Sequence, residues 1–282
     1  MARKKSIQAL LGGLVLIGGL LAAEQAHALT LYGNNAGFGT DIVEVFDVDV
    51  AAGTASKIND YTNITGNGRG VVVVGDVVYT TVVGDNHIYM TNRVSGLTIG
   101  SIATSQASMS TIAFDGTNFW TTDYSGTNQG FYIDAVTGLT LKTVTFSLAT
   151  GYMDGMEYFN GKLIVNRTDG GFGGPIVYDV YDLDGNLLTA NFITSQNGTG
   201  IAYDGANFLV SDIFNNQINV FDGTSGAFMK NIYLGSTGHL IEDLSVDYAT
   251  RPDTGTVPEP MSLILLGSGL TGLVAMRRRM KL

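Results

Sequence analysis

The chain has 282 residues, no cysteine, 15 basic against 25 acidic residues and a formal net charge of −10. Disulfides and thiolate metal sites are thereby excluded, and the acidic excess disfavours DNA, RNA or an anionic membrane face as partner. Because the basic residues gather at the two ends, residues 29–256 keep 8 of them beside 23 acids, a net of −15 that favours solubility and attracts divalent cations.

At the N-terminus, Arg3, Lys4 and Lys5 precede an apolar run from Ile7 to Ala23, and Ala26-His27-Ala28 has the small-x-small form of a signal peptidase site. Residues 1–28 are therefore expected to form a signal helix that is cleaved after Ala28, sending the remainder out of the cytoplasm. A body of the size that follows can bury a sufficient core without covalent staples.

Residues 29–248 repeat. Five times an Asp or Asn is followed by a turn glycine: Asp49 and Gly53, Asn92 and Gly96, Asp134 and Gly138, Asp182 and Gly185, Asp222 and Gly226, with successive glycines 41 to 47 residues apart. That period suits one four-stranded propeller blade. Gly75, Gly116, Gly161 and Gly205 mark a second turn at the same period, between runs rich in Val, Ile, Phe and Tyr. One blade reads as Ser110 to Phe114, Asn118 to Asp123, Gly130 to Asp134 and Leu139 to Phe146, and the same register fits blades beginning near Arg69, Asp154 and Thr199. Helical periodicity is absent from this body.

Leu29 to Ile58 supplies three strands without a first one, and Ile241 to Tyr248 supplies a first strand alone. Paired, they close a ring and hide the edges an open sheet would expose. The expected fold is all-β, a five-bladed β-propeller with a composite closing blade from the two ends of the body, flanked by the signal helix and a C-terminal transmembrane helix. A flat sandwich is the competing architecture for short strands with Gly-rich turns. Residues 249–256 read as a linker.

Ligands of propellers collect at the mouth of the central channel. At the start of the inner strands the repeat places Arg69, Ser110, Asp154, Thr199 and Glu242, a set that suits a cation such as Ca2+ or a polar sugar, or else a ring of satisfied strand ends. His87 and His239 stand apart from any metal-ligand spacing. Asp182-Leu183-Asp184-Gly185 has the opening of a calcium loop but lacks the rest and falls on the repeat's turn, so it reads as a hairpin. Gly170 to Gly174 lacks the Lys-Ser/Thr and helix of a phosphate loop, and Trp120 reads as packing between blades. No nucleophile, base and orienter appear together.

The last 26 residues carry an address. Val257-Pro258-Glu259-Pro260 leads into an uncharged segment from Met261 to Met276, and Arg277, Arg278, Arg279 and Lys281 close the chain. As a helix the segment is about 24 Å long, short for a hydrocarbon core of about 30 Å but able to span if the arginines snorkel and the bilayer thins. The basic cluster belongs on the cytoplasmic side. On hydropathy alone this is a tail anchor. With the Pro-Glu-Pro start and the glycine-spaced Leu266-Gly267-Ser268-Gly269-Leu270, it closely resembles the PEP-CTERM sorting signal of Gram-negative bacteria. That resemblance covers only these residues. It implies transient residence in the inner membrane, recognition by an exosortase, an integral-membrane transpeptidase-like enzyme, a cut near the Pro-Glu-Pro, and transfer to the cell surface or release. The family's association with exopolysaccharide and biofilm implies a surface or matrix protein. The expected function is therefore a non-catalytic structural or polysaccharide-binding propeller; the alternative is a propeller lyase or glycan hydrolase using the mouth carboxylates.

Overall fold

The computed structural model describes residues 29–251 apart from 38–40, 65, 125, 150, 169–172 and 236–239. The signal and sorting segments, His239, Gly170 to Phe172 and the linker beyond Arg251 lie outside the described residues. Among the described residues no helix is long and apolar enough to cross a membrane.

The five repeat turns close alike. In each, the glycine N–H donates to the carbonyl of the leading Asp or Asn at 2.8–3.1 Å. The same residue's side-chain oxygen accepts N–H groups inside the turn, as Asp222 Oδ1 does from Ser225 at 2.7 Å. The five glycines have φ between 67° and 83°, a region that glycine alone enters without steric penalty. The Asp182 turn follows this rule, its Oδ1 accepting from the Asp184 and Asn186 N–H groups at 2.9 Å, so it is a hairpin.

Each turn joins the third strand of a sheet to its outer one. Blade 1 comprises Gly68–Val74, Val77–Val82, His87–Asn92 and Thr98–Ala103; blade 2 comprises Met109–Phe114, Phe119–Asp123, Gln129–Ile133 and Thr140–Thr145. Blade 3 comprises Met156–Phe159, Lys162–Arg167, Pro175–Tyr181 and Leu187–Gln196; blade 4 comprises Gly198–Tyr203, Asn207–Asp212, Gln217–Asp222 and Phe228–Tyr233. In blade 5, Ile241–Val246 is the inner strand and Leu29–Asn35, Asp41–Asp49 and Thr54–Ile64 complete the sheet. The fold is the five-bladed propeller with a composite closing blade, and Leu31, Tyr32 and Gly33 pair with Val246, Ser245 and Leu244 to close it.

Several boundaries differ from the sequence reading; the outer strand of blade 5, for one, runs to Ile64 rather than Ile58. The inner strand of blade 3 starts at Met156 rather than Asp154, because the Gly155 N–H is taken by Asn166 Oδ1 at 3.0 Å instead of a ladder partner. The body also runs beyond residue 248: Tyr248–Thr250 form a 3-10 turn, and Arg251 is buried against Glu157 at 3.0 Å with its Nη2 donating to the Tyr158 carbonyl at 2.7 Å.

Among the described residues, buried apolar clusters lie at all five blade interfaces. The one across the closure joins Tyr32, Val43 and Val45 of blade 5 to Val71, Val73 and Val78 of blade 1. Trp120 of blade 2 belongs to the cluster it shares with Met156 and Leu163 of blade 3, as expected for packing between blades. Each such fully buried Leu, Ile, Phe or Met side chain contributes about 1.5–3 kcal/mol. The closing strand is also fastened through its side chains. Asp243 Oδ2, Ser245 Oγ and Asp247 Oδ1 accept in turn from the N–H groups of Val71, Val73 and Gly75 at 2.9–3.0 Å, a spacing of two residues on both strands that follows from the pleat.

Candidate functional site

The inner strands enter the axis with paired positions at one level: Arg69-Gly70, Ser110-Thr111, Asp154-Gly155, Thr199-Gly200 and Glu242-Asp243. The second members set how closely the strands approach. A Cβ on Gly155 would lie 2.0 Å from the Thr199 carbonyl oxygen, one on Gly200 2.2 Å from Asp243 Cα, and one on Gly70 2.7 Å from the Ile112 nitrogen. Only hydrogen fits at these points. Thr111 and Asp243, both 0% exposed, fill the space the glycines leave. Asp243 Oδ2 accepts from the Thr111 hydroxyl at 3.1 Å and its Oδ1 from the Leu244 N–H at 2.9 Å. The axis is filled here.

The first members, the residues expected at the mouth, form the next layer. Arg69 pairs with Glu242, and the Ser110 hydroxyl donates to Asp154 Oδ1 at 2.6 Å. Thr199 is separate: its hydroxyl meets Ser211 at 2.8 Å and the Ile241 carbonyl at 3.3 Å. The layer is roofed rather than open. The Arg69 guanidinium lies 4.1 Å over the Tyr124 ring, which stacks on Tyr152 with centroids 4.7 Å apart. Arg69 is 6% exposed and the other four at most 1%. Of the two expectations for this set, a ligand ring or a ring of satisfied strand ends, the pairing of Arg69 with Glu242 and of Ser110 with Asp154, with all five residues buried, favours the second. Tyr124, Thr111 and Asp243 were missed, because nothing in their local sequence marks them as axial.

The electrostatics follow from one cation facing two buried carboxyls. Burial pushes Asp154 up against the opposing hydrogen bond from Ser110 and the charge of Arg69. Burial, then the neighbouring Asp154 charge, pushes Glu242 up to about 8, with Arg69 opposing. Asp243 and Glu157 are also raised by burial. Among the described residues Asp154 Oδ2 has no hydrogen-bond partner, so nothing there offsets the cost that burial sets on its ionised form. These acids bind protons in the folded state that they release when unfolded above the ordinary carboxyl range, so stability falls as pH rises. We predict that the denaturant midpoint declines from pH 4.5 to about 8 and that Glu242→Gln flattens this slope. A midpoint that rises with pH across that window contradicts the arrangement.

Elsewhere, His87 Nδ1 meets Asp85 Oδ1 at 2.7 Å and the Tyr89 hydroxyl donates to the same carboxylate. That hydrogen bond pushes the Tyr89 phenol up to about 12. Trp120 is 2% exposed, with its ring centroid 4.8 Å from that of Tyr132, and offers no face to a sugar. Among the described residues no three His, Asp or Glu side chains converge as metal ligands, and at the mouth the Arg69 charge opposes a cation.

No family model and no curated protein matches the chain. Among solved structures it is similar to a chain in the crystal structure of a nidogen/laminin complex, at 12% identity and a TM-score of 0.51, over 78% of this chain and 98% of that one. The likeness is one of fold.

Proposed function

We infer that the protein is an exported cell-surface or extracellular-matrix propeller, sorted by an exosortase-type system and acting as a non-catalytic binder of extracellular polysaccharide. The observation that carries the non-catalytic reading is the sealing of the axis: the paired carboxyls Asp154 and Glu242 are at most 1% exposed, under Arg69 and Tyr124. An acid that substrate does not reach transfers no proton to it. Export rests on Arg3 to Ala28, and sorting on Val257-Pro258-Glu259-Pro260, the apolar Met261 to Met276 and Arg277, Arg278 and Arg279. Arg251, packed against Glu157, belongs to the body and precedes that motif, so a cut near Pro258 spares this contact.

The partners in this reading are an exosortase-like protease, the inner membrane during transit, and exopolysaccharide. The test is incubation of the purified protein with exopolysaccharide from the producing organism, following co-sedimentation and polymer length together. Binding with unchanged length is expected. New chain ends that disappear in Asp154→Asn with Glu242→Gln would instead establish the lyase or hydrolase reading.

A further inference from the structure

The position three residues before the turn Asp or Asn varies among the blades: Phe131 and Phe46 are buried against the preceding blade in blades 2 and 5, blade 1 carries Tyr89, and blades 3 and 4 bury the polar Asp179 and Asn219. Beside Asn219, at the interface of blade 4 with blade 3, lies a groove of about 380 Å³. This is within the range of small-molecule sites, about 300–1,000 Å³.

The groove is organised by Asp212, which is only 3% exposed. Its Oδ2 accepts from the side-chain amides of Asn215 at 2.8 Å and Gln217 at 3.1 Å. Its Oδ1 accepts from the Asn197 amide at 3.1 Å and the Phe214 N–H at 3.2 Å. One buried carboxylate thus holds a rack of amides in fixed orientation, its own charge already engaged. Asn219, 4% exposed, is fixed by its amide donating to Ser195 Oγ of blade 3 at 2.8 Å, and Asn231 stands opposite it across the strand pair. At one end the Phe228 ring is 58% exposed beside buried Phe221, centroids 5.7 Å apart. Among the described residues no lysine or arginine lines the groove.

We propose that this groove is a binding site for an uncharged sugar unit of an extracellular glycan. An amide presents a donor and an acceptor side by side, the pattern that two neighbouring sugar hydroxyls complement. An exposed aromatic face beside them receives the apolar C–H face of a sugar ring. The absence of cations from the lining and the net charge of −15 on residues 29–256 disfavour uronates and sulfated sugars. The proposal rests on the polysaccharide-binding reading and places it on the flank between blades 3 and 4, away from the sealed axis.

The test uses the full-length protein in detergent, titrated with cellobiose, maltose, laminaribiose and digalacturonate by saturation-transfer NMR and calorimetry, and with the producer's exopolysaccharide by co-sedimentation. At least one neutral disaccharide is expected to bind and digalacturonate is not. Phe228→Ala and Asn231→Ala, both at exposed positions, should weaken neutral-sugar binding at least tenfold without moving Tm, and Asn219→Phe should abolish it by filling the groove with a ring, as Phe46 and Phe131 fill the equivalent place in blades 5 and 2. Binding of digalacturonate alone, or of none of the four, overturns the proposal. So does neutral-sugar or exopolysaccharide binding that is unchanged in all three variants, which leaves the polysaccharide-binding reading intact. Failure of the unaltered protein to bind exopolysaccharide at all removes that reading itself.

Discussion

Replacing Arg69 by leucine is expected to destabilise the protein by about 1–3 kcal/mol at neutral pH, where Glu242, raised to about 8, is largely protonated and the main loss is that of its buried hydrogen-bond partner. Arg69 is the group that pairs with Glu242, lowers the energy of ionised Asp154 and carries the roof formed with Tyr124. Without it two carboxyls face each other in a site closed to water, and both must take protons. The loss should therefore shrink at pH 5, where protonation is easy, and grow toward pH 8. Adding Glu242→Gln should recover part of it, because the double variant leaves no unpaired buried charge on that strand. Urea midpoints of the four proteins at the two pH values measure this. An Arg69→Leu variant as stable as the parent at pH 8 would show that the pair is not buried as described.

Gly200→Ala should be more damaging still. Its Cβ would stand 2.2 Å from Asp243 Cα and 2.7 Å from both Asp243 C and Oδ1. These are mainly backbone atoms of the closing strand, so no side-chain rotation relieves the contact. The inner strands of blades 4 and 5 would have to separate, breaking the Asp243 bonds to Val71 and Thr111. A loss above about 4 kcal/mol, or failure to accumulate as folded protein, is expected. Gly161→Ala is the control: its φ is +74° but nothing lies within 4 Å of the new methyl, so only the backbone term of about 1–2 kcal/mol applies. Comparable melting temperatures for the two variants would mean that the axis is looser than the glycine contacts imply.

What the sequence made legible was local or periodic. Asp222 to Gly226 and its four counterparts carry their structure in a few neighbouring residues, because an Asx side chain and a glycine at positive φ define the turn without help from the rest of the fold. Repetition then multiplied that weak signal into a blade count. The unpaired first strand after Ile241 and the missing first strand before Leu29 showed how the ring closes. Side-chain pairing at the axis was out of reach for the opposite reason. Arg69 and Glu242 are 173 residues apart and Arg251 and Glu157 are 94 apart, and such partners are fixed only when the ring has closed. Thr111 and Asp243 look like ordinary strand residues until Gly70, Gly155 and Gly200 bring the strands together. The Asn219 groove lies between these cases: aligning the repeats exposes an amide where Phe46 and Phe131 stand, but the Asp212 rack beneath it depends on a loop and a neighbouring blade.

Sorting is the central claim, and it is tested most directly by the fate of the C-terminus in the producing cell. Intact protein mass and subcellular fractionation should be compared for the natural chain and for one with Pro258-Glu259-Pro260 replaced by alanines. The natural protein is expected outside the inner membrane, beginning at Leu29 and lacking the Met261 to Leu282 segment, while the variant stays in the inner membrane with that segment attached. If the variant is processed and located like the natural protein, the sorting account is wrong.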